Sequence, residues 1–161
     1  MLMKETGGMP TAFLATYGEG TPLLASFAEY DAVPANNQAA VPYKKLRDTS
    51  LHPYTVGHTD SHSALGVTTL AAILGTKVAM EEHGLKDTLK YFGEPAEKIG
   101  ISKPYHAAKG YYDTLDTCIL YHPGTVNRVV WETHCGFYWN IAFTFEVVEP
   151  EKWTSPLARV G

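Results

Sequence analysis

The sequence is short of the residues on which several classes of protein depend. Its two cysteines, Cys118 and Cys135, are too few for a disulfide framework and form no C-x-x-C pair, so both are expected to be buried or half-buried thiols. Lysine and arginine form no block and the net charge is -4, which argues against a nucleic-acid partner. There is no run of about 18 apolar residues and no signal-peptide core, so we expect a cytoplasmic protein with no membrane partner.

What is present suits a single domain. The chain has 161 residues, of which 45% are hydrophobic and 19% are charged. This is enough apolar material for one core and too little length for two ordinary domains. We therefore expect one domain over residues 1–161, in which residues 149–161 form a trailing segment.

Apolar runs predict a sheet with one long helix. Residues 11–17 and 22–28 are two such runs joined by turn residues, which favours a hairpin. Residues 62–83 have helical spacing and stop at Gly84. Residues 117–121 form a continuous apolar run, which is typical of a strand buried on both faces. The remaining predicted elements are strands at 88–93 and 138–147 and a short helix at 103–109.

The most informative stretch is the turn before the long helix, where His58, Asp60 and His62 alternate. A tight turn would let three such donors converge within a few ångströms, as in a metal site. The same residues also fit a polar turn in which Asp60 or Ser61 caps the helix. Local spacing leaves both interpretations open, and His58 is either a partner of a metal ligand or a turn residue.

Acidic and histidine residues also follow three predicted strands. Glu29 and Asp31 come at the end of one strand, Glu97 follows the next, and His122 follows another. Because sites in open α/β sheets lie at the carboxyl ends of strands, we expect them to line one rim with the 58–62 turn. Outside such a site, Glu97 would be a loop carboxylate paired with Lys98. The other histidines are expected at the surface or in loops: His52, His83, His106 and His134.

Five motifs occur in one order along the chain: GMPTAF from Gly8, AEYDAVP from Ala28, GHTDSH from Gly57, GEPAE from Gly93 and YHPG from Tyr121. They resemble the motifs of metal-dependent amidohydrolases of the aminobenzoyl-glutamate utilisation type, within the aminoacylase and carboxypeptidase clan. The resemblance implies a three-layer α/β/α, zinc-peptidase-like catalytic domain with a mixed, mostly parallel sheet. It also implies hydrolysis of the amide bond of an N-acyl amino acid or a peptide-like small molecule.

The resemblance further assigns roles to individual residues. Asp60, His62 and His122 match metal ligands, Glu97 matches the general base, and Asp31 matches a residue that orients a ligand. The metal in such enzymes is zinc or manganese. Where relatives carry a second glutamate ligand this chain has Lys98, whose ammonium cannot bind a metal, so one ion is expected rather than two.

The match lacks the family's inserted lid or dimerisation domain and the later segment that supplies a final histidine, so a truncated catalytic domain is expected. Strand surfaces left uncovered would need a partner, which predicts a homo-oligomer or a complex with another chain. The alternative function is a non-catalytic remnant of the same fold that acts as an assembly or binding protein.

Overall fold

The computed structural model describes residues 1–126, 128–130, 141 and 143–145. Single 3₁₀ turns lie at Thr6–Gly8 and Glu97–Ile99. The strands and helices are β1 (Leu2–Lys4), β2 (Phe13–Gly18), β3 (Leu23–Glu29), α1 (His62–His83), β4 (Thr88–Glu94), α2 (Ser102–Ala108) and β5 (Thr117–Cys118).

The strands form one mixed sheet in the order β1-β2-β4-β3-β5. The pairs β1–β2 and β2–β4 are antiparallel, whereas β3 is parallel to both β4 and β5. This confirms the predicted mixed sheet, whose parallel half is β4-β3-β5. In the parallel half, β3 and β4 end side by side with Glu29 opposite Glu94, so acidic residues meet at this edge of the sheet.

The predicted hairpin of residues 11–17 and 22–28 is wrong. β4 lies between β2 and β3, so Leu14 pairs with Phe92 on one side and Phe27 pairs with the same residue on the other. The physical reason is that α1 carries the chain from β3 to β4 as a crossover, which makes those two strands parallel neighbours. A turn between two apolar runs cannot reveal that a later strand is inserted between them.

Helices cover the two faces of this sheet, as the three-layer prediction requires. On one face, Leu65 of α1 is buried, and the Tyr91 hydroxyl of β4 donates a hydrogen bond of 2.6 Å to the Gly66 carbonyl oxygen. On the other face, Phe27 and Phe92 pack with the turn that follows α2. The resulting core is small, and it holds the carboxyl ends of β3 and β4 in a fixed register.

Residues 117–121 do not form a strand buried on both faces. Only Thr117–Cys118 pair with β3, and both residues are exposed at the edge of the sheet. Cys118 is therefore an exposed free thiol, contrary to the prediction. The predicted strand at 138–147 lies largely outside the described residues, and Cys135, His134 and residues 149–161 lie wholly outside them.

The α1 helix is long and apolar enough to cross a membrane by length and composition alone. One such helix is weak support for a span, because a core helix of a soluble protein passes the same test. The absence of a membrane partner remains a prediction. The helix does leave apolar side chains exposed, namely those of Val67, Leu70, Leu74 and Val78.

Candidate metal centre

The sheet brings the predicted site residues to one rim. Glu29 ends β3, Asp31 follows it, His62 begins α1, and Glu97 begins the turn after β4. Glu29, Asp31 and His62 are only 1%, 4% and 3% exposed. Two carboxylates and an imidazole buried together are costly unless they pair with one another or hold a cation.

His62 is the centre of this cluster, and its two ring nitrogens face different partners. Nδ1 lies 2.5 Å from Asp31 Oδ2, and Nε2 lies 3.4 Å from Glu29 Oε2. A carboxylate that accepts the Nδ1 proton fixes the tautomer and leaves the Nε2 lone pair available, which is the usual arrangement around a metal-binding histidine. Asp31 therefore has the contact expected of a residue that orients a ligand.

Two groups of described residues bring three donor atoms within 4.8 Å of one another. One comprises Glu29, His62 and His122, and the other comprises Asp31, His62 and Glu97. Within the described part of the chain, Glu29 Oε2 is buried and accepts no hydrogen bond. A buried polar atom with no partner is uncommon and points to a missing ion or water. Two imidazoles and a carboxylate suit a divalent metal such as zinc. The residues present therefore fit a bound metal ion.

Asp60 occurs in neither group of described donors. Its Oδ1 accepts the backbone N–H of His62 at 3.1 Å, and its Oδ2 lies 3.1 Å from the Lys98 ammonium. These contacts lower the pKa of Asp60, the backbone hydrogen bond more than the ammonium, and the carboxylate in turn raises the pKa of Lys98. Asp60 is thus hydrogen-bonded at the start of α1, whereas Ser61, the N-cap residue, makes no side-chain cap hydrogen bond. The role of Asp60 as a metal ligand remains a prediction.

The remaining predicted site residues lie around the same rim. The rings of His122 and His62 are 5.8 Å apart, with His122 exposed. Glu97 Oε2 lies 3.5 Å from His62 Nδ1 and is partly exposed, so it is not simply a partner of Lys98. His58 Nδ1 lies 3.0 Å from the Asp31 carbonyl oxygen, which places His58 beside the cluster.

Helix α2 contributes two contacts that the sequence did not reveal. Lys103 places its ammonium on Glu29 Oε1 and 3.9 Å from Glu97 Oε1. One turn later, His106 Nδ1 lies 2.8 Å from Glu94 Oε1. The one feature of the sequence that could have indicated these contacts is the three-residue spacing of Lys103 and His106, which puts both side chains on one face of a helix.

His106 is fully buried, and its prediction as a surface or loop residue is wrong. Its Nε2 lies 2.9 Å from Thr6 Oγ1, and Tyr112 donates a hydrogen bond of 2.5 Å to the same Glu94 oxygen. Burial, followed by the Glu94 contact, raises the pKa of Tyr112 well above its usual value. The other described histidines without a site contact, His52 and His83, are exposed as predicted.

The chain is similar to two curated hydrolases and, in its fold, to a solved structure. The chain is 32% identical to one component of the p-aminobenzoyl-glutamate hydrolase of Escherichia coli over 120 residues, which are 74% of this chain and 24% of that protein. It is 28% identical to a mouse Xaa-Arg dipeptidase over 129 residues, 25% of that protein. A Bacillus subtilis dinuclear metal-binding peptidase of the M20 family superposes with a TM-score of 0.52 at 20% identity, over 73% of this chain and 31% of that one. No protein-family model matches the sequence.

These findings confirm the resemblance to metal-dependent amidohydrolases and peptidases, and the superposition confirms the α/β fold. The chain spans about a quarter of the length of the curated relatives that it matches.

Proposed function

We propose that this chain carries part of the metal centre of a hydrolase. The enzyme would cleave the amide bond of an N-acyl amino acid or of a peptide-like substrate such as aminobenzoyl-glutamate. The observation that carries the proposal is the buried cluster around His62, in which a carboxylate oxygen of Glu29 faces Nε2 and accepts no hydrogen bond within the described residues. The names of the two curated relatives support amide or peptide hydrolysis as the reaction class.

In this proposal His62 and His122 hold one divalent ion, zinc in preference to manganese because imidazole donors suit zinc. The resemblance assigns the carboxylate ligand to Asp60. When bound, such an ion polarises a carbonyl group and lowers the pKa of water towards neutrality. Asp31 accepts the Nδ1 proton of His62 and so keeps the Nε2 lone pair free.

Glu97 is the proposed general base. Its carboxylate is partly exposed and lies at the edge of the cluster, where Oε2 can accept a proton from water and later return it to the leaving amine. The backbone N–H of Lys98 donates to Asp31 Oδ1 at 3.3 Å, which anchors the turn that carries Glu97 to the site.

The test is hydrolysis of N-acyl amino acids, aminobenzoyl-glutamate and dipeptides by the protein loaded with zinc or manganese. Glu97→Gln should lose hydrolysis by about 100-fold or more, the usual contribution of a general base, while keeping its metal. Glu82→Gln is a matched control, because Glu82 is exposed on α1 and far along the helix from the cluster. A parent chain that binds metal but cleaves none of these substrates would contradict the proposal.

The second candidate is the assembly or binding protein, and a specific observation favours it. The exposed apolar side chains of α1 are the kind of surface that another copy or another chain covers. In this case the protein would be a metal-free oligomer or complex without hydrolase activity, and sedimentation together with metal analysis would distinguish it.

A cytoplasmic location without nucleic-acid or membrane partners is also proposed, on the basis of the net charge and the composition.

A further inference from the structure

We propose that Glu29, in place of Asp60, is the carboxylate that completes the metal centre with His62 and His122. The inference rests on the proposed function and deepens it, because it changes the ligand set while keeping the reaction class. Glu29 is 1% exposed, and its Oε2 accepts no hydrogen bond within the described residues. The same is true of Glu94 Oε2, but within the described residues only the Glu29 oxygen lies beside a ring nitrogen of His62.

The two ring nitrogens of His62 point towards different carboxylates. Nδ1 already contacts Asp31 at 2.5 Å and lies 3.8 Å from Asp60 Oδ1, whereas Nε2 faces Glu29. A metal bound by imidazole lies outward from the coordinating nitrogen, in the plane of the ring. Since Asp31 occupies Nδ1, the ion belongs at Nε2, on the side of Glu29 and away from Asp60.

The separation of the donor atoms also suits one metal ion. Two ligands that each lie about 2.1 Å from a tetrahedral zinc ion are about 3.4 Å apart. The distance between His62 Nε2 and Glu29 Oε2 is 3.4 Å, too long for a strong hydrogen bond and right for two ligands of one ion. His122 supplies the third donor, since one of its nitrogens lies within 4.8 Å of both others.

Asp60 and Glu29 also differ in how their carboxylate oxygens are paired. Asp60 has two donors of its own, the His62 backbone N–H and the Lys98 ammonium, so it is stabilised without an ion. In Glu29 the Lys103 ammonium contacts Oε1 only, so Oε2 is left for the metal.

The experiment is a zinc titration of chelator-stripped protein by competition with a chromophoric chelator. Glu29→Gln should raise the Kd for zinc by more than about tenfold. Loss of a residue that only hydrogen-bonds to a metal ligand already lowers metal affinity by about 10- to 100-fold. Asp60→Asn, which can keep the contact with the His62 N–H, should leave it within about twofold of the parent value. The matched control is Glu94→Gln, because Glu94 is equally buried and pairs with Glu29 in the sheet but is in neither donor group.

A second readout covers the case in which Glu29→Gln does not fold. Glu29→Asp keeps the charge and moves the carboxylate, so the cobalt-loaded variant should show altered visible d–d bands. An unchanged spectrum, a loss in Asp60→Asn equal to or larger than that in Glu29→Gln, or an unaffected Glu29→Gln would overturn the assignment and leave the proposed function standing. Failure of the proposed function looks different, because the parent chain would then bind zinc and cleave none of the tested substrates, whichever carboxylate is the ligand.

Discussion

The buried pair of His106 and Glu94 offers a sharp test of how the rim is held together. Substitution His106→Ala removes an imidazole that is 0% exposed and that packs between the rings of Phe92 and Tyr111. It also leaves the Glu94 carboxylate without its imidazole partner and Thr6 Oγ1 without the histidine contact.

The expected loss can be estimated from these contacts. Leaving a buried polar group without its hydrogen-bond partner costs about 1–3 kcal/mol, and removal of the buried ring also leaves a cavity. The Tyr112 hydroxyl still donates to Glu94 after the substitution, so we expect a total loss of about 3 kcal/mol. For a chain of this length that corresponds to a fall in Tm of about 6–12 °C, and to a large share of a typical stability of about 5–15 kcal/mol.

Urea unfolding followed by circular dichroism measures this change in the free energy of unfolding. His83→Ala is the control, because His83 is exposed at the end of α1 and should change stability by less than about 0.5 kcal/mol. His106→Gln can keep one hydrogen bond and should lose less than His106→Ala. If His106→Ala is no less stable than His83→Ala, the buried pair is not a structural tie and the reasoning is refuted.

Two further substitutions test the sheet and the site. Gly93→Ala would place a Cβ atom 2.2 Å from the Phe13 ring and should lower the free energy of unfolding in urea by about 1–3 kcal/mol. Gly75→Ala is the control, because it lies in open space on α1 and should be neutral or stabilising. Equal stabilities of the two variants would contradict the β2–β4 pairing. Lys98→Glu removes an ammonium beside the site and adds a carboxylate, so zinc titration should show binding about tenfold tighter or more. Lys109→Glu makes the same charge change on an exposed residue after α2, and a similar gain there would mean that only net charge matters.

Short stretches of the sequence were enough to predict the long helix and the shared rim of the site residues. The helical spacing of residues 62–83 and the stop at Gly84 predicted the observed α1, whose end has the left-handed conformation that favours glycine. The position of Asp31, His62 and Glu97 after strands or before a helix predicted that they share one rim. Both predictions depend on short stretches of chain, in which spacing and turn chemistry decide the conformation.

The remaining features depend on contacts between distant residues. β4 is inserted between β2 and β3 by a crossover of many residues, so the 11–28 region could not disclose it. His106 is buried by Thr6, 100 positions earlier, and by Glu94 in the central strand. The contact of Glu29 with Lys103 likewise joins residues 74 positions apart, at the end of β3 and in α2.

The central claim is that His62 and His122 hold a divalent ion in this chain. Plasma mass spectrometry of zinc and manganese in the purified protein, with His62→Ala and the exposed His83→Ala prepared in parallel, tests it most directly. We expect about one ion per chain in the parent and in His83→Ala, and loss of the ion in His62→Ala. Equal metal content in all three proteins, or none in the parent even after loading with zinc, would contradict it.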